Sequence, residues 1–263
     1  MSIDVSVIIP VYRAQETLAR ALASIEEPDV LRIEIVLSVD DGADYSAFAA
    51  ADPRIKLVTT PMEKTGPGPA RNRGFAAAEG RFIAYLDADD SWSPGYLAAL
   101  YPVALVEGCA FAPTQIETAR GEPLLKVPSA GQERLMLGDF ARWGASFHPV
   151  HAAGLPRGTD EGPFWNAPAQ DVMHAVEVFM ACGLTAALVP TVAYRLRLGE
   201  STVTTAKGFS ERLTQAYAAY DRALENTWAQ TLFAQKSALN DRYIAEGLEG
   251  ESFYAFVARI NAA

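Results

Sequence analysis

Between residues 5 and 106 short β-branched runs alternate with helical patterns, and this alternation narrows the possible folds more than any other feature of the chain. Val5-Ser6-Val7-Ile8-Ile9 reads as a buried strand closed by Pro10. Residues 14–26 then place Leu18, Ala21, Leu22 and Ile25 at helical spacing. Ile33 to Val39 is a second strand, ended by the turn residues Asp40-Asp41-Gly42. Residues 44–51 predict a short helix, and Pro53 to Val58 a third strand. A loop rich in glycine and proline, Thr65 to Pro69, leads into a helix with Pro69 as its first residue and Gly80 beyond its end. Arg81 to Leu86 is the fourth strand; it runs into Asp87-Ala88-Asp89-Asp90, and a helix follows from near Pro94 to about Val106. Strands separated in this way require right-handed crossovers and a mainly parallel sheet. Ligands of such sheets gather at the carboxyl ends of the strands. Tyr12-Arg13, Asp40-Asp41 and Asp87 to Asp90 all stand at such ends.

Beyond residue 108 the pattern loosens. Cys109 to Ile116 reads as a strand and 119–133 as loop. Residues 144–168, with glycines, prolines, His148 and His151, predict a mobile functional loop. A helix spans Asp171 to Cys182, Leu184 to Tyr194 is strand-like, and 209–263 is an amphipathic helical tail. The expected organisation is one α/β unit over 1–205, with a nucleotide-binding half (1–108) and an acceptor and catalytic half (109–205). A helical extension (206–263) packs on it. The 22 Lys and Arg against 32 Asp and Glu, a net charge of −10, argue against a nucleic-acid partner. No apolar run is long enough to span a bilayer, and the first residues lack a basic leader. Two cysteines in apolar company, Cys109 and Cys182, read as buried thiols of a cytoplasmic protein. Peripheral membrane contact by the tail is the lesser alternative to its packing on the core.

Asp87, Asp89 and Asp90 repel one another unless a cation sits among them, and hard oxygen ligands of this kind favour magnesium or manganese. The plainer reading, that Asp90 or Ser91 caps the next helix, explains one acid and not three. Asp40-Asp41-Gly42 is a tight turn that could also accept from a base N–H or ribose hydroxyls. Arg71, in the first turn of a helix after a glycine-rich loop, suits a diphosphate. Asp171 reads first as a helix cap. His148 and His151 read as incidental, and His174 is given no role. No Gly-x-Gly-x-x-Gly follows the first strand, and neither a phosphate loop nor a nucleophile elbow is present.

Taken in order, Val5 to Tyr12, Val39-Asp40-Asp41-Gly42, Ala70-Arg71-Asn72-Arg73-Gly74 and Leu86-Asp87-Ala88-Asp89-Asp90 resemble the inverting glycosyltransferases of family 2, which have the GT-A fold. The resemblance covers roughly residues 3–100 and continues more weakly through Thr159 to Gly162, Gln170-Asp171 and Tyr194 to Arg197. It implies a nucleotide-diphosphate-sugar donor, most often a uridine one (UDP). Pro10, Val11 and Tyr12 would line the base pocket, Asp40 would bind the base or ribose, and Arg71 would contact the nucleotide. Asp87 would sit near the ribose, and Asp89 would ligate a divalent cation, manganese or magnesium, bridging the diphosphate. Asp171 matches the family's general base. Two departures stand out: Gln170 replaces an acid, and Leu196-Arg197 stands where many relatives carry a histidine, so that Arg197 could hold the diphosphate directly. The acceptor would be a saccharide or lipid-linked saccharide. The competing readings are a catalytically weakened nucleotide-binding protein and, on Asp87, Asp89 and Ser91, a phosphatase of the haloacid dehalogenase type. That phosphatase motif belongs after a first core strand, whereas here it follows the fourth.

Overall fold

The structure, a computed structural model, describes residues 2–26, 28–128, 131–142, 147–155, 158–199, 208–224, 227–246 and 251–262. The first half runs β1 (Val5–Val11), α1 (Leu18–Ala23), β2 (Ile33–Val39), α2 (Ser46–Ala51), β3 (Ile55–Val58), α3 (Pro67–Ala77), β4 (Phe82–Tyr85), β5 (Ser91–Trp92) and α4 (Tyr96–Glu107). The second half adds β6 (Cys109–Phe111), β7 (Thr114–Glu117), β8 (Pro123–Val127), β9 (Arg134–Met136), α5 (Leu137–Arg142), β10 (Val150–Ala152), α6 (Gln170–Ala181), β11 (Thr185–Leu188) and β12 (Tyr194–Arg197). Helices α7 (Phe209–Ala223), α8 (Thr227–Ala245) and α9 (Phe253–Ala262) follow.

The larger sheet has the order β3-β2-β1-β4-β10-β6-β11-β9, and a smaller one the order β5-β12-β7-β8. Strands β3, β2, β1 and β4 are parallel, with Val5 opposite Ile33 and Val11 opposite Val39. β2 lies on one side of β1 and β4 on the other, so the strand order reverses there and opens a crevice at the carboxyl edge. Alternation along β1 fixes the two faces. Val5, Val7, Ile9 and Val11 join Leu18, Leu97 and Leu100 in one core, while Ile8 turns to the other face with Val36, Ile83 and Tyr85. Helix α3 lies very close over that second face at Gly74, where a Cβ would come within 2.5 Å of Ile8 Cγ2.

Several sequence expectations are corrected here. β1 does not stop at Pro10 but continues to Val11. β4 pairs with β1 only as far as Ile8, so the missing N–H of Pro10 interrupts no bond on that side. Helix α3 starts at Pro67, which leaves both prolines in the first turn, where an N–H has no partner to lose. Cys109 to Ile116 is two strands in different sheets, broken before Thr114 at Pro113. Strand β8 lies within the expected loop 119–133. The segment 144–168 carries β10, which pairs antiparallel with both β4 and β6 at the centre of the large sheet. His148 and His151, expected on a mobile loop, are 7% and 0% exposed. Cys109 is buried, but Cys182, at the end of α6, is half-buried.

Helices α7 and α8 share one apolar core with α6: Leu213, Tyr217, Tyr220, Leu232 and Phe233 pack with Val172, Val176 and Phe179. Among the described residues no helix is long and apolar enough to cross a membrane.

Candidate active site

The acidic run after β4 resolves its own repulsion through protein partners. Asp87 forms an ion pair with Arg71, and its N–H donates to Tyr194 Oη at 3.1 Å. Burial alone would push the Asp87 carboxyl up; Arg71 and then His148 outweigh that and hold it below the usual range. Asp90, 4% exposed, accepts from Tyr194 Oη at 2.9 Å and from the Arg197 N–H at 2.8 Å, which ties β12 to the turn. It caps no helix, because α4 begins after Gly95 with no side-chain cap. Burial and the charges of Asp89 and Asp87 drive the Asp90 carboxyl well above its ordinary value. Asp89 is exposed, and its side chain makes no hydrogen bond to another described residue. Its carboxyl is raised by the surrounding protein mass and then by Asp87. Arg20 donates to the Asp89 carbonyl. Of the three acids, Asp89 has the carboxylate open to a cation.

Arg71 is 2% exposed, with its guanidinium carbon 5.3 Å from the centre of the Phe164 ring. Burial would lower its pKa, but Asp87 and Asp171 together raise it, so its positive charge is held in place by two carboxylates. Asn72, on the same turn of α3, clamps Phe164 by donating from Nδ2 to the Phe164 carbonyl at 2.8 Å and accepting the Phe164 N–H at 2.8 Å.

At the ends of β1 and β2 the acids organise loops. Asp40 accepts from Thr65 Oγ1 at 2.5 Å, from the Gly66 N–H at 2.9 Å and from Arg73 at 2.6 Å. That holds the loop leading into α3. The Thr65 N–H adds to these in lowering the Asp40 carboxyl, so the carboxylate is taken up by the loop it holds. Asp41 accepts from the Arg13 N–H at 2.6 Å, from the Ala43 N–H at 3.0 Å and from Tyr45 Oη at 3.0 Å. Tyr12 is 42% exposed at the crevice mouth and Pro10 is half-buried. The Val11 side chain is fully buried in the apolar core on the inner side of β1, so only its backbone faces the crevice end of the strand.

Asp171 sits one residue into α6 and does not cap it; the capping position is Ala169, with no side-chain bond. Ala169 has φ +54°, Arg13 +52° and Lys64 +58°. Non-glycine residues in this region cost on the order of 1 kcal/mol each, and these three stand beside Asp171, Tyr12 and the Asp40 loop. Gln170 is buried. Arg197 turns its guanidinium to Glu117 at 3.4 Å, so the structure directs it at a protein carboxylate.

All three histidines, dismissed from sequence, lie beneath this constellation. His148 stacks on Tyr194 with ring centres 4.5 Å apart, and burial keeps it neutral against the pull of Asp87 and Asp171. His151 stacks on Tyr85 at 6.0 Å, and His174 on Phe164 at 4.2 Å. His148 and His151, three apart around Pro149, and the distant His174 gave no sign in sequence that the histidines would meet. Strand β10 brings them together.

A family profile described as Glycosyl transferase family 2 matches residues 6–157, more than half of the chain. The chain belongs to that family. The match covers the crevice strands and ends just past β10, and with it the phosphatase reading is set aside. Succinoglycan biosynthesis protein ExoO of Rhizobium meliloti is 27% identical over 98% of this chain and 77% of that protein. The Escherichia coli protein named UDP-Glc:alpha-D-GlcNAc-diphosphoundecaprenol beta-1,3-glucosyltransferase WfgD is 34% identical over 41% of this chain and 43% of its own length. The chain thus spans under half of the second relative. A Staphylococcus aureus TarS structure, residues 1–349 with UDP-GlcNAc, superposes with a TM-score of 0.66 at 17% identity, covering 89% of this chain and 71% of that one. At that identity the likeness establishes the GT-A fold. This family 2 glycosyltransferase has its parallel half at the site where the acids and Arg71 converge.

Proposed function

We propose that this family 2 glycosyltransferase moves a sugar from a UDP-sugar to a hydroxyl of a saccharide or lipid-linked saccharide, with inversion at the anomeric carbon. The observation that carries the reading is the division of labour in the acidic run: Asp87 and Asp90 are bound to protein groups, and Asp89 is left open. The base would lie by Tyr12 and Asp40, and the diphosphate would face Arg71 and Asp89. Among the described residues no group of three or more His, Cys, Asp or Glu side chains is placed to hold a metal alone. One open carboxylate still fits manganese or magnesium, which commonly take one or two carboxylates and complete their shell with substrate phosphates. When bound, such an ion would spread the charge developing on the departing diphosphate. Asp171 accepts the proton of the acceptor hydroxyl as its oxygen bonds to the anomeric carbon, and the bond to the diphosphate oxygen breaks on the opposite face. Arg71, already charged and desolvated, would set a fixed positive potential beneath the leaving group. The tie of Arg197 to Glu117 weighs against its holding the diphosphate. The UDP-GlcNAc bound by TarS and the lipid diphosphate in the name of WfgD agree with the proposed substrates.

Calorimetry with UDP, with and without manganese, tests the donor site. Metal-dependent binding that is lost in Asp89→Ala is the expected result; binding indifferent to both removes Asp89 from the role. Asp171→Asn keeps UDP binding and loses transfer by about a hundredfold or more, in keeping with general-base contributions. Donor binding with no turnover by the wild type would leave the weakened nucleotide-binding protein as the reading.

A further inference from the structure

We infer that the cleft between the start of α6 and helices α7, α8 and α9 is the acceptor site, and that it takes the terminal sugar ring of the acceptor saccharide. The inference rests on Asp171 being the base proposed above. The cleft encloses about 110 Å³ and is walled by Asp171 on one side and by the three C-terminal helices on the others. A closed cavity of about 150 Å³ holds a benzene ring, so this smaller, partly open space admits one sugar ring at most, seated partly in its mouth.

Asp171 stands between two environments. On the crevice side its charge acts on Arg71 and His148, and on the helical side it acts on Lys236, Tyr217 and Tyr220. A hydroxyl bound in the cleft would meet the Asp171 carboxylate, which lines it, as a base that takes the hydroxyl proton requires.

The lining matches a sugar better than a nucleotide. Tyr243, Phe253 and Tyr254 contribute aromatic surface, with Tyr243 and Phe253 edge to face at 5.5 Å and Phe253 and Tyr254 at 6.2 Å. Aromatic rings cover the C–H face of a pyranose, while its hydroxyls need donors and acceptors. Lys236 and Asn240, 4% and 1% exposed, put polar groups at the floor of the cleft, where Asn240 Nδ2 already donates to the Ser210 carbonyl at 3.0 Å and to Thr214 Oγ1 at 3.1 Å. Burial lowers the Lys236 ammonium against the opposing pull of Asp171, down to about 8. One cation beside one carboxylate leaves the cleft with no net charge for a nucleotide's phosphates.

Saturation-transfer NMR with methyl β-glucoside, methyl β-galactoside and methyl N-acetyl-β-glucosaminide, run beside UDP calorimetry, tests the assignment. Wild type should bind at least one glycoside. Tyr254→Ala, which removes a stacking face, and Ser210→Trp, which fills the cleft, should each weaken that binding by about tenfold or more while UDP affinity stays within about twofold. Two substitutions of opposite bulk separate loss of the site from loss of the fold, and UDP binding reports the fold. Glycoside binding that survives both variants overturns the assignment, as does wild type that binds UDP and none of the glycosides. Failure of wild type to bind UDP overturns the donor reading, and the glycoside measurements still decide the cleft.

Discussion

The ion pair between Arg71 and Asp87 is lopsided: the Arg71 side chain is 3% exposed and the Asp87 side chain 30%. Removing the acid strands a desolvated cation, whereas removing the arginine leaves an acid that can turn to water. Asp87→Asn should therefore cost about 3 kcal/mol of stability, and Arg71→Met clearly less, in urea denaturation at neutral pH. The reverse ranking would mean that Arg71 is not held by Asp87. The histidines give a second residue-scale expectation. His151 donates from Nδ1 to its neighbour's carbonyl at 2.9 Å, which fixes the neutral tautomer, and burial lowers its pKa to about 4. It faces Tyr85, and His174 packs on it with ring centres 5.0 Å apart; burial, His151, His148 and Arg71 lower His174 as well. A histidine depressed in the folded state takes up its proton in the unfolded chain first. The stability it contributes is present above the unfolded value of about 6.5 and is lost as pH falls from there toward 4. For His151 alone the loss is on the order of 3 kcal/mol. A stability curve over that window should flatten in His151→Phe, and an unchanged slope would show that the ring is not buried neutral.

At the scale of elements, glycine marks where α3 meets the strand and loop around it. A Cβ at Gly68 would lie 2.4 Å from the Trp165 carbonyl, a backbone atom that cannot swing aside. Gly68→Ala is thus expected to displace the segment that carries Asp171, lowering turnover by about tenfold while most stability remains. Single-turnover assays beside thermal denaturation would show whether the two separate. The same segment shows what the sequence could reveal. The four crevice motifs were legible because each is a short run within or beside one element, complete within a few residues. Strand β10 was not, because three residues with a histidine at the centre carry no period, and their pairing partners lie about seventy and forty residues back. The histidines were misread for that reason. The inward turn of the Val11 side chain was not legible either, because the motif match took no account of which face of β1 it occupies. Nor does any local pattern say that Asp90 would hold β12 or that Asp40 would spend most of its acceptors on its own loop.

For the whole molecule, the tail is integral. Leu213, Tyr217, Tyr220, Leu232 and Phe233 are each under 7% exposed and pack on the helix that carries Asp171. Fully buried side chains of this size contribute about 1.5–3 kcal/mol each, so five of them rival the 5–15 kcal/mol that typically separates folded from unfolded. A chain ended at residue 205 should be insoluble or lack cooperative unfolding, which expression followed by calorimetry would show. A folded 1–205 fragment would refute the shared core.

Strand β10 comes late in the chain yet sits between β4 and β6, sewing the parallel half to everything after it. The seam has a bearing on ancestry. A recombination that exchanged the first 108 residues for those of a relative would join a new β4 to an old β10, and the central pairing would have to match by chance. An exchange placed after Ala152 would carry the seam along intact. Lineages that trade acceptor specificity by swapping gene segments should therefore show their breakpoints downstream of this strand, between it and the helix bearing Asp171.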